Sequence, residues 1–400
     1  MGVIQWLVYH QPVFRAPVTH STHVTTTPSG VSDDHIFFRA WLAAVLGVPV
    51  AALTIKQIAG DASPRRYFRL TLEHEGPGED DPTPASDNAP VASLRGIKHR
   101  SLIAVTSPPT ENNAAFLHVQ RLLESAGLTV PAQYVSDLER GYFLMEDLGD
   151  VLLASQLTPE AVDHYYPSAL NELIPIAGIP LASALLPPFD ATRIADEISV
   201  FPEWFLDAHL GLEVDTVAEN LWQNLLTLLT DVFRHQPQCV VHRDFHSRNI
   251  MCLPDDRLGL IDFQDAVVGP VTYDPVSLLK DCYIQWPRPD QLRWLEAHRH
   301  ALLSAGVAVS DERAFIRDFD LVGLQRHLRV LGVFARLCLR DDKPDYLNDL
   351  PLVLAYTREA LTLYEAEPAI GGFSGWFEEV VMPRVAEQHW YQRSTPLERR

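Results

Sequence analysis

Residues 241–250 of the chain read VHRDFHSRNI, and residues 258–263 read LGLIDF. The apolar residues that open the first stretch and fill the second have the length expected of buried strands. Asp244 and Asn249 follow the first apolar run, and Asp262 ends the second. The spacing predicts that two carboxylates and one amide meet beside a single loop between strands.

This polar set suits phosphoryl transfer, in which positioning and charge neutralisation matter more than covalent chemistry. Asp244 is the predicted catalytic base, because its carboxylate can accept the proton of an attacking hydroxyl group. The amide oxygen of Asn249 and the carboxylate of Asp262 are predicted to hold Mg²⁺ against the phosphates of ATP, since this hard cation prefers oxygen ligands. Taken singly, each of these residues could have a purely structural role in a turn. Their combined spacing favours a kinase-like site.

Residues 262–281 read DFQDAVVGPVTYDPVSLLKD, which departs from the Asp-Phe-Gly of protein kinases and leads into no activation loop. Together with the preceding loop, this stretch resembles the aminoglycoside phosphotransferase and choline kinase superfamily, whose members phosphorylate small molecules. Within that superfamily the chain is most similar to the bacterial anomeric N-acetylmuramate/N-acetylglucosamine kinases, which act in peptidoglycan recycling. Residues 137–149, 201–205 and 323–336 extend the resemblance, which covers about residue 35 to about residue 365.

The resemblance implies an α+β fold of the bilobal protein-kinase type, with a small antiparallel-sheet N-lobe and a larger, mainly helical C-lobe. We expect a poorly ordered N-terminal extension over 1–34, a nucleotide-binding N-lobe over 35–146 with a mobile insertion at 73–98, a C-lobe over 147–367, and a C-terminal tail over 368–400.

Hydrophobic periodicity adds the elements of the small lobe. It predicts helices over 35–46 and 112–126, and strands over 54–58, 66–72, 102–106 and 138–145. The chain is expected to cross to the large lobe just after the last of these strands.

The ATP site is predicted from the same resemblance. A loop of Gly60, Asp61, Ala62 and Ser63 is predicted to contact the phosphates through backbone N–H groups. Arg65 and Arg66 could supply a cation. The hinge residues Glu146 and Leu148 are predicted to bind the adenine. An ordinary hairpin turn is the alternative for the loop. Residues 101–109, SLIAVTSPP, contain no lysine where protein kinases place one to hold the phosphates. Some other cation must take that role.

An amino-sugar site is expected in the large lobe, where a few placed polar groups and an aromatic wall would hold the substrate. The candidates are Glu203, Trp204, Asp281, Trp286 and Arg326. The alternative is that the tryptophans belong to the core and that Glu203 caps or pairs a helix. Four arginines recur mostly at multiples of three and four residues and could bind the lactyl carboxylate of N-acetylmuramate, or form a solvated face: Arg326, Arg329, Arg336 and Arg340.

Composition limits the partners and the compartment. The chain has 400 residues, 47% of them hydrophobic, and a net charge of −20, which opposes an electrostatic footprint for nucleic acid. Its four cysteines form no C-x-x-C pair, so a reduced compartment is expected. The N-terminus lacks a secretory pattern, and the apolar window 41–55 is too short to span a membrane. We expect a cytoplasmic protein whose partner is a small amino sugar, and we favour a monomer.

These observations predict a kinase, dependent on ATP and Mg²⁺, that phosphorylates the anomeric hydroxyl of N-acetylmuramate and N-acetylglucosamine. One alternative is a kinase for another small hydroxyl compound, such as an aminoglycoside, choline or a homoserine-like metabolite. The other is a pseudokinase that binds nucleotide as a scaffold. The missing strand lysine favours the scaffold, whereas the complete set of Asp and Asn residues favours an enzyme.

Overall fold

The computed structural model describes residues 33–58, 64–71 and 101–392. Several predicted features lie outside these ranges: most of the N-terminal extension, the loop residues Gly60, Asp61, Ala62 and Ser63, the insertion at 73–98 and the last eight residues.

The small lobe is a five-stranded antiparallel sheet in the order β1-β2-β3-β5-β4. Its elements follow the predicted alternation of helix and strand. They are α1 (Asp33–Leu46), β1 (Thr54–Gln57), β2 (Arg66–Thr71), β3 (Ser101–Thr106), α2 (Asn113–Ser125), β4 (Gln133–Asp137) and β5 (Tyr142–Glu146).

Helix α1 covers one face of this sheet. Phe38 and Leu42 on the helix are buried against Phe68 and Leu70 of β2. Because side chains alternate across a strand, Tyr67 and Arg69, which alternate with these two residues, point to the opposite face. One face of β2 therefore packs against α1, and the other faces the large lobe.

The strand predicted over 138–145 is wrong in its extent. Residues 138–141 form the turn of a hairpin, and β4 before it was not predicted. Gly141 makes this turn possible, since its φ is +67° and a Cβ atom there would lie 1.9 Å from the carbonyl oxygen of Ser107. The strand itself begins only at Tyr142.

The large lobe is mainly helical, with two short antiparallel strand pairs inserted. Its helices are α3 (Val162–Ala177), α4 (Leu181–Ala184), α5 (Ala191–Ile198), the π-helix Phe201–His209, α6 (Thr216–His235), α7 (Tyr273–Leu279), α8 (Arg288–Ser304), α9 (Glu312–Asp341), α10 (Leu350–Leu363), α11 (Pro368–Trp376), a second π-helix Phe377–Val381, α12 (Met382–Ala386) and α13 (His389–Gln392). The paired strands are β6 (Gln238–Val241) with β9 (Val267–Pro270), and β7 (Ile250–Cys252) with β8 (Leu258–Leu260).

The segment that follows residue 367 packs onto this lobe. Ile370, Phe373, Phe377 and Val381 are buried in the main hydrophobic core. The boundary between a C-lobe and a tail at this point stays a prediction.

A buried ionic cluster fixes the end of α7. Lys280 and Asp320 are both buried, and their charged atoms lie 2.9 Å apart. Arg288 donates two hydrogen bonds to the same carboxylate, and the hydroxyl of Tyr364 donates a third. Removing one member of such a cluster typically costs about 3–5 kcal/mol, because it leaves an unpaired buried charge. The cluster thus holds the residue after Lys280, Asp281, firmly in place.

No helix in the described part of the chain is both long and apolar enough to cross a membrane. The small antiparallel-sheet lobe and the larger helical lobe confirm the predicted α+β architecture.

Candidate active site

The loop between β6 and β7 carries the predicted catalytic base and is held at its start by a buried carboxylate. The backbone N–H groups of His242 and Arg243 donate to Asp274, at 2.7 and 2.9 Å. Burial raises the pKa of Asp274 to about 7, although these two hydrogen bonds act in the opposite direction. Arg243 has a φ of +81°, so the chain turns sharply just before Asp244. No role for Asp274 was predicted from the sequence.

A second buried carboxylate holds the middle of the same loop. Asp281 accepts hydrogen bonds from the backbone N–H and the hydroxyl of Ser247, and from the backbone N–H of Tyr283. Only 1% of Asp281 is exposed. This predicted sugar-binding residue therefore lies under the catalytic loop, and its carboxylate is occupied by the loop itself.

Asp244 lies in a strongly positive environment. Burial alone would raise its pKa, but three nearby guanidinium groups, those of Arg326, Arg329 and Arg243, lower the pKa to about 2. The nearest is Arg326, whose Nη1 lies 3.9 Å from Oδ1 of Asp244 and donates to the backbone oxygen of Arg243. Asp244 is thus ionised at neutral pH and can accept a proton. Arg326, also a predicted sugar-binding residue, holds this loop through its hydrogen bond to the backbone.

The two predicted metal ligands are adjacent. Nδ2 of Asn249 lies 3.3 Å from Oδ2 of Asp262 and donates to the backbone oxygen of Asp244 at 3.0 Å. The carboxylate of Asp262 opens to solvent, while the protein around it and the negative charges of Asp244 and Asp265 raise its pKa. Gln264 donates to its other oxygen and opposes this effect. Such crowding of negative charge is relieved by a bound cation.

The donor set fits Mg²⁺ better than a metal held by protein alone. Within the described ranges, no group of three or more His, Cys, Asp or Glu side chains could hold a metal ion. Mg²⁺ usually takes one or two protein ligands and completes its shell with phosphate oxygens and water. Asn249 and Asp262 meet that requirement.

A further carboxylate, not identified from the sequence, organises the arginines around Asp244. Oε1 of Glu197 lies 2.8 Å from Nη2 of Arg243, and Oε2 lies 3.4 Å from Nε of Arg329. Arg243 also approaches Asp265 at 3.8 Å. Glu197 comes from α5, which lies far from the loop in sequence and shows no motif around it.

On the small-lobe side, the two candidate arginines have different surroundings. Arg65 is buried, its Nη1 lies 3.1 Å from Glu111, and its guanidinium lies 5.4 Å from the ring centre of Phe116. Phe116 in turn stacks on Phe263, the neighbour of Asp262. Arg66 is exposed and lines a cavity on the α1 side of the sheet. Of the two, Arg65 lies on the side of the catalytic residues.

The hinge between the lobes is tied to β2 by an arginine. Arg69 forms paired contacts with the carboxylates of Asp147 and Asp150, at 2.6 to 3.0 Å. Leu148 in this hinge packs on Gly259 of β8, where a Cβ atom would lie 2.7 Å from the leucine Cδ1. Gly259 therefore lets the predicted adenine-binding segment approach the large lobe closely. Glu146 accepts a hydrogen bond from the backbone N–H of Ala132.

The remaining sugar candidates lie on two elements of the large lobe. Trp286 donates to the hydroxyl of Tyr166 and packs edge-on against Trp294, in an aromatic cluster of the large lobe. Glu203 is exposed and Trp204 is half-buried, both on the π-helix Phe201–His209. A sugar site formed by the five residues stays a prediction.

The family model described as "Phosphotransferase enzyme family" matches residues 54–317, a range that covers parts of both lobes and includes Asp244, Asn249 and Asp262. The chain belongs to this phosphotransferase family. The predicted superfamily and the predicted enzyme class, a phosphotransferase with a hydroxyl acceptor, are confirmed.

Two similar proteins share the same name. An N-acetylmuramate/N-acetylglucosamine kinase of Pseudomonas putida is 37% identical over 315 residues, which cover 78% of this chain and 85% of the relative. The protein of that name from Neisseria meningitidis is 33% identical over 334 residues, covering 82% and 91% of the two chains.

Solved structures confirm the kinase-like bilobal fold of this phosphotransferase. The choline kinase LicA of Streptococcus pneumoniae superposes with a TM-score of 0.55 at 14% identity, covering 82% of this chain and all of the other. A ternary complex of streptomycin, ATP and APH(2")-IIa gives a TM-score of 0.52 at 14% identity, covering 84% and 97%. At such identities the likeness concerns the fold.

Proposed function

We propose that the protein transfers the γ-phosphoryl group of ATP to the anomeric hydroxyl of N-acetylmuramate and N-acetylglucosamine. The observation that carries this proposal is the convergence of Asp244, Asn249 and Asp262. The shared name of the relatives supports the choice of acceptor. Products of such a reaction would be sugar 1-phosphates, consistent with a place in peptidoglycan recycling.

Asp244 orients the acceptor hydroxyl and takes its proton. Its low pKa of about 2 keeps it ionised, and the hydrogen bonds from the loop to Asp274 and Asp281 keep its backbone fixed. Positioning of this kind reduces the entropic cost of bringing the acceptor to the phosphate. Asn249 and Asp262 would hold Mg²⁺, which when bound neutralises phosphate charge.

Arg65 is proposed as the cation that replaces the missing strand lysine. In protein kinases that lysine pairs with a glutamate of the helix between the third and fourth strands. Here Arg65 pairs with Glu111, which lies just before α2, the helix in the same position in the fold. The contact from Phe116 to Phe263 links this pair to the segment that carries Asp262.

We predict that Arg65→Met raises the KM for ATP and lowers kcat, while Arg66→Met changes neither by more than about twofold. A charge-assisted hydrogen bond is worth about 1.5–3 kcal/mol, so the expected loss in kcat/KM for ATP is about 10- to 100-fold. Steady-state ADP release at saturating sugar measures both variants. Equal behaviour of Arg65→Met and Arg66→Met would contradict the assignment.

The charges near Asp244 also bear on the choice of acceptor. A cationic substrate, such as choline or an aminoglycoside, requires free acidic side chains near the base. The carboxylate of Asp281 is occupied by Ser247, and Glu197 is paired with arginines. The guanidinium groups of Arg326 and Arg329 would repel a cation close to Asp244. A neutral or anionic acceptor fits this environment better.

A substrate screen tests the function directly. We expect ADP release with N-acetylmuramate and N-acetylglucosamine, and little or none with choline, homoserine or an aminoglycoside. Phosphorus NMR of the products should show a phosphate at the anomeric carbon. Turnover of a cationic acceptor alone would favour the alternative kinase, and stabilisation by ATP without turnover of any acceptor would favour the scaffold.

The proposed compartment is the cytoplasm, where ATP is available. All four cysteines, Cys239, Cys252, Cys282 and Cys338, are free, which supports a reducing environment. We propose that the protein works as a monomer.

A further inference from the structure

Helix α9 carries a row of arginines that begins under the catalytic loop. Arg326 and Arg329 are the two that lower the pKa of Asp244 most. Arg336 follows Arg329 by seven residues, which is two turns and about 10 Å along the helix axis, on the same face. The row therefore leads from the catalytic base outward.

Arg336 differs from the other members of this row in its partners. Its Nε atom is buried without a hydrogen-bond partner among the described residues, and no ion pair to it is found in those ranges. Arg340, by contrast, is exposed and donates two hydrogen bonds to Asp341, and Arg329 pairs with Glu197. Arg336 is thus a half-buried guanidinium that lacks a counter-charge in direct contact.

Two positive and two negative side chains influence this guanidinium. Burial, followed by the charges of Arg340 and Arg329, lowers the pKa of Arg336, and the nearest negative influences are Asp341 and Glu203. Two like charges held close together on one helix face cost free energy unless an anion joins them. The protein as a whole has a net charge of −20, so a positive cluster beside its active site is unusual for its composition.

The π-helix Phe201–His209 packs against α9 beside these arginines. Gly332 of α9 lies between Arg329 and Arg336, and a Cβ atom there would be 2.3 Å from the backbone oxygen of Val200. The two helices therefore touch at this point, which places Glu203 of the π-helix near Arg336. π-Helical segments are frequent at functional sites, where they shift side chains out of the regular helical register.

We propose that Arg329 and Arg336 form an anion subsite that binds the lactyl carboxylate of N-acetylmuramate, while Asp244 receives the anomeric hydroxyl of the same sugar. N-Acetylglucosamine lacks this carboxylate, so the subsite discriminates between the two acceptors. The planar guanidinium group suits a carboxylate because it can donate two parallel hydrogen bonds. This inference rests on the proposed function and specifies how one substrate is recognised.

The experiment compares three acceptors and two variants. The acceptors are N-acetylmuramate, its methyl ester, in which the carboxylate charge is removed, and N-acetylglucosamine. The variants are Arg336→Met, which removes the unpaired guanidinium, and Arg340→Met, the matched control on the same helix. Steady-state kcat and KM are measured for every combination by ADP release.

In the unsubstituted protein we expect the acid to have a lower KM than its ester. Arg336→Met should raise the KM for the acid by about 10- to 100-fold, the range expected for a lost charge-assisted hydrogen bond. It should change the KM for the ester and for N-acetylglucosamine by less than about threefold, with little change in kcat. Arg340→Met should preserve the preference for the acid. This pattern isolates the carboxylate, because a merely structural defect would affect all three acceptors.

Equal losses on all three acceptors would overturn the inference, as would equal KM values for acid and ester in the unsubstituted protein. A selective loss in Arg340→Met but not in Arg336→Met would also overturn it. A protein that phosphorylates N-acetylglucosamine but shows no discrimination would leave the proposed function standing and remove only the subsite. A protein inactive on all three sugars would refute the proposed function, and this inference with it.

Discussion

Asp244→Asn is expected to lower kcat by about 10²- to 10⁴-fold, the usual contribution of a positioned general base. Asparagine has nearly the same size but cannot accept the proton of the acceptor hydroxyl. The three guanidinium groups near the site remain, so binding of ATP should change much less than turnover. Single-turnover kinetics with saturating ATP and N-acetylglucosamine would measure the effect.

Asp255→Asn is a suitable control for this variant. Asp255 is exposed in the turn between β7 and β8, where it pairs with Arg257. The control should turn over at the normal rate. Unchanged turnover in Asp244→Asn would contradict its role as the base, provided that thermal unfolding shows both variants to be folded.

Asp262→Asn is expected to have the second large effect, on the dependence of activity on Mg²⁺. Asp262 has a φ of +62°, a conformation that asparagine tolerates well, so the substitution removes the charge without straining the backbone. Loss of groups that merely support metal ligands typically costs about 10- to 100-fold in metal affinity or activity, and loss of a direct ligand should cost at least as much. The measurement is ADP release across a magnesium titration.

The same titration at several pH values provides a second test. Burial and the neighbouring carboxylates raise the pKa of Asp262, so protons compete with the cation increasingly as the pH falls. The apparent affinity for Mg²⁺ should therefore decrease toward acid pH in the unsubstituted protein and show a weaker pH dependence in Asp262→Asn. Asp265→Asn is the neighbouring control. If it, rather than Asp262→Asn, abolished the response to Mg²⁺, the ligand would have to be reassigned.

Much of the small lobe could be predicted from the sequence, because its elements are local. Periodic apolar residues define α1 and α2, and alternation defines the strands β1 to β3. The hairpin of β4 and β5 was missed because the predicted strand began at Leu138, inside the turn that ends at Gly141, and no strand was predicted before it. Strand register depends on the partner strand, which lies beyond the range of a local pattern.

The predicted sugar site shows a different limit. Trp204 and Trp286 were chosen by residue type, yet both pack largely against the core. Asp281 was chosen because it lies in a segment that resembles the family, and it proved to anchor Ser247. Residue type and resemblance do not specify which way a side chain points when the contacts come from distant elements.

The sequence by itself predicted that Asp244, Asn249 and Asp262 meet, because they flank the hairpin of β7 and β8 and local spacing brings them together. Only the tertiary structure decided what surrounds them. The supports Asp274 and Glu197, the ion pair of Arg65 with Glu111, and the Arg336 Nε that is unpartnered among the described residues depend on the packing of elements far apart along the chain. Charge and burial at such positions are set by packing in three dimensions, which spacing along one segment does not encode.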